Sequence, residues 1–383
     1  MAIISSNDPG LLYLQEIGFK RIKGKYGLPD RFIKLFGRSK ATQLMRKWDN
    51  LATGSREFYD FKNADREISR AFSEAYDEDI IRKSCNYIAA HKAYFGDTIL
   101  EVGCDCGIMS CFLAKTFPDA TIVSVDRCGA AIEIAREFAQ NQGLTNITFI
   151  ACDLKDVTQT FDTVFSMRTM HENFDADEDC INDLGEQAAI FSNSLSAYAS
   201  ALDKVLSDEG MLISIERTGR NALMLGWMDA LNNVGLKFDL LSYEELACIE
   251  AGEESIFQAF ICLKGVESDI GAKEMFNYAC SKYLDYSKAE YEGWDAKIVY
   301  ENRRGKLIEG YNLVYLFPPI KVRVSLWTHN TDDTCLIQYQ NNNGFVKASF
   351  VDISQKENVL NAMHDALDKS RAYGHVTITK IQG

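Results

Sequence analysis

The stretch Ile99-Leu100-Glu101-Val102-Gly103-Cys104-Asp105-Cys106-Gly107 constrains this chain more than any other. An apolar run ends in an acid, two glycines follow, and the helical-looking residues 108–115 come next. That order predicts a strand, a tight turn and a helix start. Glycine has no Cβ to block a close approach, so the turn brings backbone near whatever sits at the strand's carboxyl end. The helix N-terminus behind it adds free N–H groups and a positive dipole end.

The next apolar, β-branched run, Ala120-Thr121-Ile122-Val123-Ser124-Val125, ends at Asp126. Asp126 lies about twenty residues past the turn, where dinucleotide-binding folds present an acid to ribose hydroxyls. A carboxylate accepts from two vicinal hydroxyls, so a nucleoside-bearing ligand is expected. A nicotinamide dinucleotide fits poorly. Its G-x-G-x-x-G fingerprint is interrupted here by Asp105 and Ile108, and an acid at 105 faces a pyrophosphate unfavourably.

On these residues the stretch resembles the class I S-adenosyl-L-methionine-dependent methyltransferases. Their first motif, hydrophobic-acid-x-G-x-G-x-G, is matched by Glu101, Gly103 and Gly107, and Asp105 departs from its middle glycine. An exposed turn can hold Asp in unusual backbone geometry. The resemblance covers about residues 97–264. It implies that Glu101, Gly103, Cys104, Asp105 and Gly107 surround the cofactor, and that Asp126, with Arg127 beside it, meets the ribose. It also implies that Asp153 reaches the adenine amino group, that Leu154 lines the ring, and that Met167 ends the fourth strand at the cofactor.

The rest of that segment alternates strands and helices, which predicts a mostly parallel sheet with helices on both faces. Residues 130–142 read as a helix with Gly143 as its stop. Residues 147–152 and 161–167 are the third and fourth strands. Residues 182–206 form a long helix, and Met211-Leu212-Ile213-Ser214-Ile215-Glu216 is the fifth strand. Residues 226–234 are helical. Residues 237–241 and 257–263 make a closing pair like the family's late antiparallel hairpin. The expected fold is therefore α/β, a doubly wound, mostly parallel seven-stranded sheet. A helical extension over 1–95 precedes it, and a separate α+β domain over 266–383 follows the 96–265 cofactor domain.

In the N-terminal extension, helices are expected to start at Asp8-Pro9-Gly10 and Leu28-Pro29-Asp30, with others over 39–51 and 77–94. Gly54-Ser55-Arg56-Glu57-Phe58-Tyr59-Asp60-Phe61 is a candidate lid over the pocket, with Tyr59 and Tyr76 as candidate pocket residues. Ten cations from Lys20 to Lys47 are opposed only by Asp30. They read as a solvated face or as a patch for an acidic or phosphorylated partner. In the C-terminal segment, residues 297–301 and 306–316 flank Asn302-Arg303-Arg304-Gly305 as a hairpin signal. An Asn-Asn-Asn-Gly turn joins 334–340 to 345–351. Ser354 and Glu357 read as a capping box ahead of a last helix.

Composition narrows the function classes. A net charge of −14 argues against a general nucleic-acid binder. No apolar run approaches a membrane span, and no signal-peptide pattern stands at the N-terminus. Eleven cysteines without a secretory signal read as reduced thiols, so a cytoplasmic location is expected. Cys104, Cys106 and Cys111 cluster inside the turn, with no second C-x-x-C pair to complete a zinc site, and no metal is expected.

A sulfonium methyl is already electrophilic, so the protein must hold the acceptor in line with it and, where the acceptor is protonated, supply a base. His171, just past the fourth strand, is the candidate base. Glu172 is a candidate to orient it or to bind a substrate amine. Arg168 is a candidate for a substrate carboxylate or a partner for Glu172. The acidic run Asp175, Asp177, Glu178 and Asp179 reads as a solvated loop. The expected activity is methyl transfer to oxygen or nitrogen of a small-molecule acceptor. Two alternatives stand beside it: a protein methyltransferase with the C-terminal domain as recognition module, and a non-catalytic nucleoside-binding scaffold. No N-P-P-Y- or D-P-P-Y-type tetrapeptide follows the fourth strand, where Ser166-Met167-Arg168-Thr169 stands instead, which disfavours exocyclic-amine methylation of DNA, and of some RNA and protein amides. A homodimer through the C-terminal sheet is expected from its exposed edge.

Overall fold

The computed structural model describes residues 8–20, 27–52, 55–173, 184–219, 221–250, 252–282, 284–285, 287–330 and 332–382. The acidic run at 175–179, Gly54, the first residues of the expected 182–206 helix, and Arg21, Lys23 and Lys25 lie outside these. The described residues fall into two compact units, one within 1–174, 197–219 and 234–269, the other within 175–196, 220–233 and 270–383.

The first unit begins with six helices: α1 (Pro9–Glu16), α2 (Gly27–Phe36), α3 (Arg38–Trp48), α4 (Arg56–Lys62), α5 (Arg66–Tyr76) and α6 (Glu78–Ala90). Asp8 caps α1, its carboxylate accepting from Leu11 N–H, and Gly37 breaks the chain between α2 and α3 at φ 78°. Helix α5 had no clear sequence signal, because it interleaves Ile68, Ala71 and Phe72 with small and charged residues. Those three pack with Leu28, Phe32, Ala41 and Phe61 in one apolar cluster, around which Trp48 and Tyr76 close.

Then come β1 (Thr98–Val102), α7 (Ile108–Thr116), β2 (Thr121–Asp126), α8 (Gly129–Asn141), β3 (Ile147–Ala151) and β4 (Phe161–Met167). Helix α9 (Leu184–Val205), whose residues up to Ser196 belong to the second unit, β5 (Leu206–Glu216), β6 (Lys237–Glu250) and β7 (Glu253–Leu263) follow. The sheet order is β3-β2-β1-β4-β5-β7-β6. Strands β1 to β5 pair in parallel, and β7 pairs antiparallel with both β5 and β6. This is the expected doubly wound sheet with its late hairpin, although that hairpin runs longer than the residues 237–241 and 257–263 suggested. Apolar β1, β2 and β4 are buried on both faces, as a parallel sheet covered by helices requires.

The second unit contains α10 (Ala222–Asn233), α11 (Ala272–Ser281), β8 (Glu290–Glu292), α12 (Gly293–Arg303), β9 (Arg304–Tyr315), β10 (Ile320–His329), β11 (Thr334–Asn341), β12 (Val346–Asp352), α13 (Lys356–Ala372) and β13 (Val376–Lys380). Its antiparallel sheet has the order β13-β9-β10-β11-β12-β8. Two expectations are corrected here. Residues 297–301 are helical rather than a strand: Ala296 and Val299, three apart, are buried against Trp327, Leu336 and Ala348, and the chain turns extended only at Arg304. The Ser354/Glu357 capping box does not form. The Asp352 carboxylate takes Ser354 N–H, a short 3-10 turn intervenes, and α13 starts at Lys356 with no side-chain cap. Gly226, expected near a helix start, lies inside α10. An added Cβ there would come within 2.6 Å of Ala188 O and Phe191 Cβ.

Candidate functional site

The turn after β1 is shaped by three left-handed residues: Gly103 at φ 70°, Asp105 at 47° and Gly107 at 76°. Gly103 and Cys104 N–H both donate to Val125 O, which ties the turn to β2. The two glycines do different work. A Cβ on Gly103 would stand 2.2 Å from Thr169 Cγ2, so this residue lets the turn approach the loop after β4. A Cβ on Gly107 would stand 2.7 Å from Ala135 Cβ and 3.0 Å from Phe149, so this one lets the turn pack under α8 and β3.

Asp105 carries its departure from glycine by binding α4 and its C-cap. Its carboxylate accepts from Lys62 Nζ at 2.8 Å and from Asn63 Nδ2 at 2.9 Å. Lys62 also lies 3.6 Å from Asp77. Burial works to lower the Lys62 pKa, but the two carboxylates outweigh it and the ammonium stays charged. Asp77 in turn binds Arg168, whose guanidinium also lies 3.5 Å from Glu250.

These elements enclose a cavity of about 750 Å³ at the carboxyl ends of β1, β2, β3 and β4. Arg56, Tyr59, Asp60 and Lys62 of α4 contribute to its wall, so the expected lid segment is a helix facing the pocket. Tyr76 does not line it and belongs to the apolar cluster of the N-terminal helices. Asp126 lines the cavity. Its carboxylate accepts from Asp105 N–H at 2.9 Å and Cys128 N–H at 2.8 Å, and burial raises its pKa. Each oxygen keeps a lone pair for a ligand hydroxyl. Gly103, Asp105, Arg127, Asp153, Leu154 and Met167 also line the cavity.

Glu101, Cys104 and Gly107 do not. The Glu101 carboxyl is buried beneath the turn and accepts from the Ser110 and Ser124 hydroxyls. Burial pushes its pKa up to about 8 against those two hydrogen bonds. It braces the turn from below instead of facing a ligand. The Cys104 thiol is likewise buried, and Gly107 acts through packing.

At the other end of the cavity the candidate base stands apart from the wall. His171 sits on a 3-10 turn, Met170–Glu172, with its side chain exposed and outside the cavity wall. Desolvation by the protein beneath it, then the Arg168 and Arg217 charges, push its pKa down to about 4. Arg168 reaches the wall, but Asp77 and Glu250 hold it, so it is not paired with Glu172. Glu172 does line the cavity, 3.4 Å from Arg127 Nη2. Burial, then the charge of Glu216, push its pKa up to about 7.

Sequence reasoning missed the groups behind that end. Thr169 and Tyr198 line the cavity, and the fully buried Glu216 stands behind them, with burial raising its pKa to about 7. Glu216 ends an apolar strand at the sheet's carboxyl edge, the same signal that marked Asp126, and could have been found that way. Tyr198 lies within α9 and has no such mark.

Residues 95–235 match the family described as "Methyltransferase domain". Over this segment the chain is similar to that family. The matching sequence carries the turn, the strand-end acids and the loop after β4 that form the cavity. A methyltransferase domain of this class takes S-adenosyl-L-methionine as its cofactor. The chain is 35% identical over 75 residues to the ribosomal RNA small subunit methyltransferase G of Bacteroides fragilis, covering 20% of this chain and 36% of that protein. It is 25% identical over 132 residues to the ribosomal RNA small subunit methyltransferase C of an Enterobacter species, covering 32% of this chain and 38% of that protein. Both matches span well under two thirds of the relatives' length. Among solved structures, magnesium protoporphyrin IX methyltransferase from Synechocystis aligns at a TM-score of 0.38 and 15% identity, over 62% of this chain and 97% of that one. No helix of the described residues is long and apolar enough to cross a membrane.

Proposed function

We propose that this chain is an S-adenosyl-L-methionine-dependent methyltransferase that methylates oxygen or nitrogen of a small-molecule acceptor. The observation that carries the reading is the cavity of about 750 Å³ with α4 in its wall opposite the strand-end acids. That volume suits a cofactor-sized ligand and a compact acceptor, and the helix limits how much of a large substrate can enter.

The chain's own groups fit the cofactor. Gly103, Asp126, Asp153 and Leu154 line the cavity together, which supports assigning the Asp126 carboxylate to a ribose diol and Asp153 with Leu154 to the base. Lys62, fixed by Asp105 and Asp77, lies in the same wall. When bound, the cofactor supplies an electrophilic methyl group on a sulfonium. The protein then has to orient the acceptor and remove its proton. Glu172 is the group in the wall suited to take that proton, since its pKa of about 7 leaves it part ionised at neutral pH.

Calorimetric titration with S-adenosyl-L-methionine and S-adenosylhomocysteine tests the cofactor. Assay of S-adenosylhomocysteine release over small amines, phenols, carboxylic acids, acidic peptides and ribosomal RNA tests the acceptor. Micromolar binding with turnover on a small molecule is expected. Turnover on RNA or protein alone would overturn the acceptor class. Binding with no turnover on anything would favour the non-catalytic scaffold.

A further inference from the structure

Three hydroxyls and one carboxyl meet at the acceptor end of the cavity. Ser166 Oγ lies 2.6 Å from Thr169 Oγ1 and 3.1 Å from Glu216 Oε1. Thr169 Oγ1 lies 3.4 Å from that same oxygen, and Thr169 N–H donates to it at 3.2 Å. Tyr198 Oη lies 2.5 Å from Thr169 Oγ1 and 3.2 Å from Ser166 Oγ. Ser166 and Glu216 are fully buried, whereas Thr169 and Tyr198 reach the cavity. The cluster thus runs from the cavity surface to a carboxyl that water does not touch.

Each hydroxyl has one proton to give, and an ionised carboxylate only accepts. Hydrogen bonds to a charged acceptor are the stronger ones, so Ser166 directs its proton at Glu216, and the 2.6 Å Ser166–Thr169 contact then takes the Thr169 proton. The short Tyr198–Thr169 contact must still hold a proton, and only Tyr198 has one left for it. With Glu216 ionised, Tyr198 therefore points its proton inward and its oxygen is an acceptor. With Glu216 protonated, the carboxyl gives a proton to a hydroxyl, the chain reverses, and Tyr198 can donate into the cavity.

Glu172 lies in the same wall with Arg127 on one of its oxygens, so this end then presents the other carboxylate oxygen and an accepting phenol oxygen together. An ammonium offers two or three N–H donors to such a pair, a phenol one, and a carboxylate none. We propose that this end of the cavity receives an amine acceptor, held by Glu172 and the Tyr198 oxygen, with Glu216 as the positioning residue that sets the direction of the Tyr198 hydrogen bond. This rests on the methyltransferase reading above and names its substrate class.

The groups around Glu216 leave this control to it. Among the described residues, the titratable neighbours are Tyr198 on α9 and Glu172 on the turn after β4. Arg168 is held by Asp77 and Glu250, and Arg217 by Glu250. Gln258, the β7 partner of Glu216, accepts from Thr218 and Gly219 through its Oε1. Burial brings the Glu216 carboxyl up to about 7 against four hydrogen bonds, so both forms are accessible near neutral pH.

The test is titration of the protein, loaded with S-adenosylhomocysteine, with benzylamine, phenol and benzoate at pH 8 and pH 6. Benzylamine, protonated at both, is expected to bind at least about tenfold tighter than the other two at pH 8, and several-fold weaker at pH 6. Tyr198→Phe and Glu216→Gln should each weaken benzylamine about tenfold while S-adenosylhomocysteine still binds as in the parent protein. In a Glu172→Gln background the remaining pH dependence belongs to Glu216, and adding Glu216→Gln should abolish it. Benzoate or phenol binding as well as benzylamine, no benzylamine binding, or benzylamine binding indifferent to both single variants would overturn the proposal. Should Glu216→Gln fail to fold, Tyr198→Phe alone decides. Failure of the parent protein to bind S-adenosylhomocysteine would instead overturn the methyltransferase reading.

Discussion

At the cofactor end of the cavity the wall is set by backbone: the left-handed Gly103 and Asp105 line it, and N–H groups pin the Asp126 carboxylate. At the acceptor end it is made by side chains, with Thr169, Glu172 and Tyr198 brought together from a loop and a helix, and Glu216 from β5 behind them. A backbone-built wall is fixed by where the sheet ends, and few substitutions can reshape it. A side-chain-built wall can change its chemistry while the sheet stays the same. Substitutions should therefore separate the two ends, except where one residue serves both.

Gly103 is that exception, and its replacement should have the largest effect. Gly103→Ala forces a Cβ into a left-handed position and to within 2.2 Å of Thr169 Cγ2. Backbone strain and overpacking together should lower stability by roughly 2–5 kcal/mol and remove cofactor binding. Thermal unfolding with and without S-adenosylhomocysteine reads both. A variant that melts and binds like the parent protein would mean that the turn and the loop after β4 are independent.

Glu172→Gln should come next and should touch one end only. Turnover should fall by about 100-fold or more, the usual weight of a positioned base, while cofactor affinity stays unchanged. The sign of the pH dependence follows from the raised pKa. Glu172 works as a base only when ionised, so turnover should climb from pH 6 to pH 8 and level off above its pKa of about 7. The variant's profile should lose that rise. A parallel loss of cofactor affinity would show that the ends are coupled through more than Gly103.

The two ends also differed in how far the sequence could be read. Strand ends and glycines leave marks in the chain itself: Gly103, Asp126 and Asp153 each stand at the end of an apolar run, and all three line the cavity. The late hairpin was legible for the same reason. Glu101 shows where that logic overreaches. It stands in the motif, but the pleat turns its carboxyl under the turn, to the Ser110 and Ser124 hydroxyls. Tyr198 illustrates the opposite failure. Nothing in the α9 sequence says which helical turn will meet Thr169, because that depends on how the helix packs on the sheet. The helix at residues 297–301 was misread for a similar reason: its apolar spacing is short, and only the packing of Ala296 and Val299 on Trp327 decides its conformation.

Asp126→Ala is the cofactor-end counterpart of Glu172→Gln, with a smaller expected effect. It should weaken S-adenosylhomocysteine binding by about 1–3 kcal/mol, the scale of unmade hydrogen bonds to a charged group. Part of that loss is indirect, because Asp105 and Cys128 N–H groups lose their acceptor. Asp126→Asn keeps one accepting oxygen and should lose less. Calorimetry on both variants separates contact from support, and unchanged affinity in both would remove the ribose assignment.

The smallest effect is expected at His171, and it bears most directly on how the acceptor end works. Proximity in sequence to the end of β4 made His171 the natural base. In the fold, one turn of 3-10 helix sends its ring outward and turns the Glu172 carboxyl into the cavity wall. With its pKa near 4, the ring is neutral across the working range, so it adds no charge to either end. His171→Ala should leave cofactor affinity unchanged and turnover within about twofold, since substitutions away from buried contacts usually have little effect. Steady-state kinetics beside Glu172→Gln make the comparison. A tenfold loss of kcat in His171→Ala would mean that the 3-10 turn rotates when the acceptor enters and exchanges the two side chains, and the acceptor end would then be a moving part set against a rigid cofactor end.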